Sequence, residues 1–167
     1  MVKTSKGSAV VTLPSDTEIL ITREFDAPRH MIFRAWTTPE LVRRWWHANR
    51  GRCTTTEIDL RVGGKWRWVM VTDEGFEVAF HGEYREIVPG ERLVYTEVYE
   101  GAPPAADGGE EAALNTVTLI EKKGRTLVTN LVRTRRKAVR DTIIDSGMEA
   151  GMQDAMDLLE QVAASLA

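Results

Sequence analysis

Several features are scarce in this chain of 167 residues, and each absence excludes a class of protein. A single cysteine, Cys53, allows no disulfide within the chain and favours a reducing compartment. No apolar run reaches roughly eighteen residues, and residues 1–11 lack the apolar core and cleavage site of a signal peptide. The net charge is −3, whereas nucleic-acid-binding domains are usually strongly basic. We therefore expect a soluble, cytoplasmic protein that neither enters a membrane nor binds nucleic acid.

Motifs for familiar cofactor and metal chemistry are also missing. The three histidines have no partner residue at the spacing of a metal site. They are His30, His47 and His81. Neither a Walker loop nor a nucleophile elbow is present, and Gly63-Gly64 lacks the third glycine of a dinucleotide-binding loop. The sequence therefore predicts no metal site and no cofactor.

The C-terminal segment, from about Ala138 to Ala164, carries the clearest helical pattern. Apolar or small residues recur there every three or four positions, and acidic residues lie between them. The apolar positions are Ile144, Met148, Gly151, Ala155, Leu159, Val162 and Leu166. We predict one helix of roughly 25 residues, about 37 Å long, which suits a helix lying across a wide sheet. Its apolar face needs such a sheet beneath it.

The rest of the chain carries the turn signals of an antiparallel sheet. Residues 1–13 are small and polar and predict a flexible lead-in. Strands are predicted at 18–25, 55–62, 65–71, 76–88, 93–99, 114–121 and 126–133. Two short helices, opened by Pro28 and Pro39, follow the first strand, and Gly63-Gly64 predicts a two-residue hairpin. Tight turns make neighbouring strands antiparallel, so residues 14–167 form one α+β domain with a sheet of about seven strands.

Five segments, in this order and at these intervals, resemble a known family. They are ITREFDAP, AWTTPELVRRWW, DLRVGGKWRW, HGEYREIVPGERLVYT and RDTIIDSGMEAGMQDAMDLLEQVA. They resemble the bacterial heat-shock-ATPase-activator-like family of the START, polyketide-cyclase and birch-pollen-allergen superfamily, over nearly all of residues 13–164. The resemblance implies a helix-grip fold, in which a curved antiparallel sheet wraps a long C-terminal helix and leaves a cavity. Members of the superfamily bind hydrophobic ligands, act as cyclases or hydrolases, or assist a chaperone, so the fold alone does not fix the function.

Large side chains on the strands and the helix are candidates for the wall of such a cavity. Mixed apolar walls with a few polar groups are typical of small-ligand sites, although the same residues would also serve as an ordinary core. The candidate ligand-binding residues are Trp66, Trp68, Met70, Phe80, Tyr95, Ile144, Met148 and Met152. Tyr84 and Tyr99 are alternatives to Phe80 and Tyr95, because the pattern does not decide which face of each strand points inward.

Three further features each allow two interpretations. Gly147 and Gly151 lie one turn apart in the predicted helix, where they either make room for a ligand or permit close packing or a bend. His81 or Glu83 is either a general base in the cavity or a surface residue. The basic residues before the helix either meet an anionic headgroup or partner, or form a solvated charge run. They are Arg133, Arg135, Arg136, Lys137 and Arg140.

The leading functional hypothesis is therefore the binding of a hydrophobic or aromatic small molecule between the sheet and the C-terminal helix. One alternative is an enzyme of the cyclase or hydrolase type that uses polar groups in the same cavity. A second alternative is an interaction protein that assists a chaperone. An exposed apolar strip around Trp45 and Trp46 would also allow a homodimer.

Overall fold

Eight antiparallel strands form one curved sheet in the computed structural model, which describes residues 7–101 and 111–167. The strands are β1 (Val10–Thr12), β2 (Glu18–Phe25), β3 (Gly51–Ile58), β4 (Lys65–Thr72), β5 (Glu77–Val88), β6 (Arg92–Tyr99), β7 (Ala112–Lys122) and β8 (Arg125–Arg133). Their order across the sheet is β1-β2-β8-β7-β6-β5-β4-β3. The chain therefore crosses once from β2 to the far edge and then returns strand by strand until β8 pairs with β2.

Four helices accompany the sheet in the described part of the chain. They are α1 (Arg29–Thr37), α2 (Pro39–Val42), α3 (Lys137–Asp145) and α4 (Met148–Ala164). Pro28 precedes α1 and Pro39 opens α2, as the sequence predicted, because proline fits the first turn of a helix without losing a hydrogen bond. Helix α1 packs against α4. The α+β helix-grip architecture is confirmed.

The prediction of one long C-terminal helix is wrong, because the segment divides into α3 and α4 at Ser146 and Gly147. Gly147 has φ of +78°, a left-handed conformation that glycine adopts at little cost and that ends a helix. The backbone N–H of Ser146 still bonds to the carbonyl of Thr142 in α3. Periodicity missed the break because the apolar positions keep the same spacing on both sides of it.

The predicted two-residue hairpin at Gly63-Gly64 is also wrong. Strand β3 ends at Ile58, and the connection to β4 covers residues 59–64. The N–H of Gly63 donates to the carbonyl of Tyr84 at 2.8 Å, and the N–H of Tyr84 donates to the carbonyl of Gly64 at 3.0 Å. A six-residue connection therefore joins β3 to β4, and the glycine pair bonds to β5 as well as within this connection, where the N–H of Gly64 donates to the carbonyl of Arg61.

The N-terminal segment contains a strand where the sequence predicted a flexible lead-in. Val10–Thr12 form β1, which pairs with β2 at the sheet edge. Helix α4 holds the residues before it, because Gln153 accepts from the N–H of Ala9 at 3.0 Å and donates to its carbonyl at 2.6 Å. The predicted lead-in also includes residues 1–6, which lie outside the described residues.

The concave face of the sheet carries the core. Along β2, buried side chains alternate with less buried ones, so that Ile19, Ile21 and Phe25 point towards the helices. Phe25, Ile32 of α1 and Leu159 of α4 are fully buried and belong to one hydrophobic cluster. The helices α1 and α4 therefore cover the sheet and leave the strands β4, β5 and β6 to build the aromatic end of the core.

Candidate functional site

An aromatic wall lies where β4, β5 and β6 meet α1. Six side chains line a cavity of about 10 Å³ there, which has room for about one water molecule. They are Trp36, Trp66, Trp68, Tyr84, Leu93 and Tyr95. The ring of Trp66 lies 5.1 Å from that of Trp68 and 5.7 Å from that of Tyr95, between centroids. The wall is therefore a set of touching aromatic faces and edges that favours planar apolar groups.

A close approach of two strands fixes the position of Trp66. Its register partner on β5 is Gly82, and the indole Nε1 donates to the carbonyl of Thr96 on β6 at 3.2 Å. A Cβ at Gly82 would lie 1.8 Å from that carbonyl oxygen and 2.6 Å from Nε1. Glycine is thus required at position 82, because any side chain there would displace the indole from the wall.

The helices α3 and α4 form a helical cover over the concave face. The side chains at its C-terminal end are more deeply buried than those at its beginning. Val139, Ile143 and Ile144 of α3 are only half-buried, as are Met148 and Met152 at the start of α4. The second half of α4 is fully packed. Its buried residues are Met156, Leu159, Val162 and Ala163. Lifting α3 and the first turns of α4 would therefore break few buried contacts with the sheet, while the second half of α4 stays in place.

Gly147 and Gly151 do not serve close packing. A Cβ built at either position meets no other atom of the described residues within 4 Å. Gly147 instead provides the left-handed turn between α3 and α4. Of the alternatives left open by the sequence, the bend applies to Gly147, and open space beside the helix applies to Gly151.

Polar side chains also lie on the concave face, next to the aromatic wall. Glu97 follows Tyr95 by two residues on β6 and therefore points to the same side. Asn115 of β7 and Asn130 of β8 are buried, and Nδ2 of Asn130 donates to Oδ1 of Asn115 at 3.2 Å. These three residues were missed at the sequence level. The only available signal was the inward parity of two asparagines in strands otherwise rich in valine, leucine and threonine.

Burial perturbs the ionisable groups of this region. It raises the pKa of the Glu97 carboxyl group to about 7, and the side chain of Asn115 offsets part of that rise. Burial also raises the pKa of the Tyr95 phenol well above its usual value, and the negative charge of Glu97 adds to the effect. A carboxyl group with such a pKa is able to give or take a proton near neutral pH.

The chain is similar to one family of known proteins over most of its length. Residues 26–164 match the family described as Activator of Hsp90 ATPase homolog 1-like protein. The chain belongs to this family. No curated protein matches the chain.

Solved structures of this fold come from several bacteria. A crystal structure of a Rhodobacter sphaeroides protein is 24% identical, with a TM-score of 0.84, and the match covers 95% of this chain and 99% of that chain. A Nitrosomonas europaea protein is 20% identical, with a TM-score of 0.78 and coverage of 92% and 97%. A Chromobacterium violaceum protein is 25% identical, with a TM-score of 0.76 and coverage of 89% and 98%. These likenesses support the helix-grip fold of the family.

Most of the sequence-predicted wall residues come together in this family member. Trp66, Trp68 and Tyr95 line the cavity. The half-buried Ile144, Met148, Met152 and Phe80 pack against the core cluster to which those three belong. Met70 is buried but is not a member of that cluster, and it pairs with Cys53 of β3 and Val78 of β5. Their role in binding a ligand remains a prediction.

The predicted acid–base candidates lie on the outer face of the sheet. His81 is the register partner of Arg67, which alternates with the inward-facing tryptophans of β4. Nδ1 of His81 lies 2.9 Å from Glu100, and Arg67 donates two hydrogen bonds to the same carboxylate. Arg67 and then His81 lower the pKa of Glu100 to about 2. Glu83 pairs with Lys65 at 2.5 Å. Arg67 with Glu100 and Lys65 with Glu83 therefore form ion pairs on the outer face, and His81 contacts the Glu100 carboxylate there.

The basic cluster before α3 is largely neutralised by nearby carboxylates. Arg133 lies 3.0 Å from Glu18, and Arg136 pairs with Glu111. Lys137 and Arg140 both lie 2.8 Å from Asp141. Neighbouring carboxylates therefore account for these four cations without an anionic ligand, but Arg140 is buried and is not part of a solvated charge run.

The structure also places Trp45, Trp46 and Cys53, for which the sequence raised expectations. Trp45 is buried and donates from Nε1 to the carbonyl of Ala35 at 2.9 Å, while Trp46 packs on Trp68 and Phe80. Trp45 is therefore not exposed and Trp46 is half-buried, and the homodimer remains a prediction. Burial raises the pKa of the Cys53 thiol to about 11, so the thiol stays protonated and unreactive.

The described residues contain neither a candidate metal site nor a candidate membrane span. In residues 7–101 and 111–167, no three His, Cys, Asp or Glu side chains come together as a possible metal site. Across the same residues, each helix is too short or too polar to span a bilayer.

Proposed function

We propose that this domain binds a hydrophobic or aromatic small molecule between the curved sheet and the helices α3 and α4. One observation carries the proposal: the aromatic wall and the half-buried first half of the helical cover pack into the same core cluster. A cover of this kind has a low local free energy of opening, because few apolar contacts are lost when it lifts. The family membership supports the same function, since the superfamily commonly includes binders of hydrophobic ligands.

A ligand requires the cover to move. The cavity of about 10 Å³ holds about one water molecule, whereas small-molecule pockets usually span roughly 300 Å³ or more. Gly147 supplies a joint between α3 and α4, and the space beside Gly151 is open. The second half of α4 is held to β2 by Arg23, which is fully buried and lies 3.0 Å from Asp157. We therefore expect α3 and the first turns of α4 to move while the rest of the fold stays in place.

The proposal is tested by screening aromatic molecules against the whole chain. A ligand is expected to raise the melting temperature, to change tryptophan fluorescence through the rings of the wall, and to add its mass in native mass spectrometry. The proposal fails if no molecule in a chemically broad set, including lipophilic extracts of cells, produces any of these changes.

A pair of variants tests the location of the ligand. Met152→Trp places a large ring where the half-buried methionine faces the core cluster, and we expect affinity to fall about tenfold or more. Ala150→Trp adds the same ring at an exposed position of α4 and is the matched control. Equal affinity of both variants and the wild type would place the ligand elsewhere.

Glu97 favours a second candidate function, an enzyme that uses a general acid or base in the same cavity. The carboxyl group lies on the concave face beside Tyr95, and its pKa of about 7 suits proton transfer at neutral pH. Incubation of a bound molecule with the protein, followed by mass analysis, would detect turnover. Glu97→Gln is expected to abolish turnover while binding persists, and unchanged turnover would remove this assignment.

A further inference from the structure

A diagonal row of polar side chains crosses the concave face of the sheet over four neighbouring strands. Its members are Glu97 on β6, Asn115 on β7, Asn130 on β8 and Arg23 on β2. Each member is displaced by two residues, always in the same direction, from the register partner of the one before it. Displacement by two residues keeps a side chain on the same face. The row is therefore continuous on the side of the sheet that faces the helices.

The middle of the row holds hydrogen-bonding capacity that the described residues do not use. Asn115 and Asn130 are 2% and 7% exposed. Their mutual hydrogen bond uses one donor and one acceptor. Within residues 7–101 and 111–167, Nδ2 of Asn115 and Oδ1 of Asn130 have no hydrogen-bond partner of normal geometry. Asn115 also interacts with the Glu97 carboxyl group. This interaction lowers the pKa of Glu97, but it offsets only part of the rise that burial causes.

The asparagine pair leaves one donor atom and one acceptor atom without a partner, whichever way the two amide groups are oriented. If both amide groups are turned over, the hydrogen bond between them reverses, and again one donor and one acceptor remain. A buried polar atom without a partner destabilises the protein, because it has lost its hydration without gaining a hydrogen bond. A ligand group that carries an acceptor beside a donor would recover that cost.

The asparagine pair borders the aromatic wall. Asn115 is the register partner of Tyr95, which lines the cavity. On the other side of the wall, Nε1 of Trp68 is a buried donor that also has no hydrogen-bond partner among the described residues. Apolar aromatic surface and a few unused polar atoms thus lie next to one another, which is the composition of a specific small-molecule site.

We propose that Asn115 and Asn130 recognise the amide edge of a neutral aromatic ligand, such as a lactam or a carboxamide. The ligand carbonyl accepts from Nδ2 of Asn115, its N–H donates to Oδ1 of Asn130, and its ring lies against Trp66, Trp68 and Tyr95. A neutral ligand fits because Asn115 and Asn130 are themselves neutral and buried, and the charge of Arg23 at the end of the row is already balanced by Asp157 and Glu160. An ionised group would therefore lose its hydration without a free counter-charge. The inference rests on the proposed function and names the class of ligand.

Three aromatic probes of similar size test the inference on the full-length protein. Carbostyril offers a lactam donor and acceptor, its N-methyl derivative lacks the donor, and naphthalene lacks both. By isothermal titration calorimetry we expect carbostyril to bind about fivefold more tightly than its N-methyl derivative and at least about tenfold more tightly than naphthalene. The N-methyl derivative leaves one of the two buried amide atoms unpaired, and naphthalene leaves both. This comparison uses the wild-type protein alone.

The variant Asn115→Leu/Asn130→Leu removes both partners at once, so that neither is left unpaired. We expect it to bind naphthalene as the wild type does and to lose the preference for carbostyril. Thr126→Val is the matched control, because Thr126 is buried on β8 outside the row and donates from Oγ1 to the carbonyl of Ala27. This control should keep the preference.

Two results would overturn the inference in distinguishable ways. Equal affinity of the wild type for carbostyril and naphthalene would assign the asparagine pair a structural role only, while the proposed binding function would stand. Binding of none of the three probes would also overturn the amide specificity, and the broad screen described above would then decide the proposed function separately.

Discussion

Asp157 of α4 lies 3.0 Å from Arg23 of β2, whose side chain is completely buried beneath the helix. Glu160, one turn further along α4, lies 3.2 Å from the same guanidinium group, which stacks 4.6 Å from the ring centre of Phe25. Two carboxylates and an aromatic face therefore surround one buried cation. This contact ties the second half of α4 to the sheet through a buried ion pair. Among the described residues, α3 and the first turns of α4 are instead held by hydrogen bonds to backbone groups, from Arg140 to Ser15 and between Gln153 and Ala9.

Arg23→Leu is expected to lower the free energy of unfolding by about 3 kcal/mol or more. Removal of the cation leaves two carboxylates, with side chains 11% and 17% exposed, without their partner. Arg50→Ala is the matched control, because Arg50 pairs with Asp154 of the same helix but both side chains are 44% exposed. We expect the control to cost less than about 1 kcal/mol in urea denaturation. Similar losses for the two variants would contradict the anchoring role of Arg23.

Alanine at the two helix glycines is expected to have opposite effects. Gly147→Ala should destabilise the protein by about 1–2 kcal/mol, since alanine is strained at φ of +78°. Gly151→Ala should stabilise it by up to about 1 kcal/mol, because alanine favours the helical backbone. A Cβ at either position meets no described atom within 4 Å, so the comparison isolates the backbone. Urea denaturation measures both values, and a loss at Gly151 would indicate a contact that the structure does not contain.

Much of the fold was predictable because the residues within the turns themselves determine where the strands end. The strand at 18–25 was predicted with its observed bounds, since Asp26-Ala27-Pro28 stops it. The turns at 73–75 and 89–90 likewise separated strands whose bounds agree with the structure within one residue on each side. The two errors of connection, at Gly63-Gly64 and at Gly147, have a common cause. At Gly63-Gly64 the glycines form hydrogen bonds with β5, and at Gly147 the glycine adopts a left-handed backbone angle between two helices. Both roles depend on a neighbouring element.

The residues of the site were predictable only where they have large aromatic side chains. Trp66, Trp68 and Tyr95 were predicted to line a cavity, and the structure brings them together. Asn115 and Asn130 were missed because their meeting depends on the register of two strands, which no local pattern determines. Strands β7 and β8 carry polar and apolar residues on both faces, so small polar residues on the inner side look like ordinary outer ones until the pairing is known.

Gly82→Ala is expected to destabilise the protein by about 2 kcal/mol or more. The added Cβ would lie 1.8 Å from the carbonyl oxygen of Thr96, so the backbone or the Trp66 indole must shift. We expect the hydrogen bond from Trp66 to Thr96 to be lost and the tryptophan emission of the folded protein to change. Gly151→Ala is the matched control for the same substitution in open space. Unchanged stability and emission would contradict the close approach at Gly82.

Ionisation of Glu97 should make the stability of the domain fall as pH rises towards neutrality. Burial raises the pKa of this carboxyl group from 4.5 to about 7. Between these values the folded protein keeps a proton that the unfolded chain has released, so the free energy of unfolding decreases with rising pH. Glu97→Gln cannot ionise and lacks this decrease. Other groups contribute equally to both proteins, so the difference between their stabilities isolates Glu97.

Relative to the wild type, Glu97→Gln should therefore gain about 1–2 kcal/mol of stability between pH 4.5 and pH 8. A rise of this size in the pKa corresponds to about 3 kcal/mol for a fully buried group, and the half-buried side chain of Glu97 reduces it. Urea denaturation across this range gives the difference, and an NMR titration of the Glu97 carboxyl carbon gives its pKa directly. Parallel pH profiles of the two proteins would show that Glu97 ionises as an ordinary surface carboxylate, and the acid–base role proposed for it would then lose its physical basis.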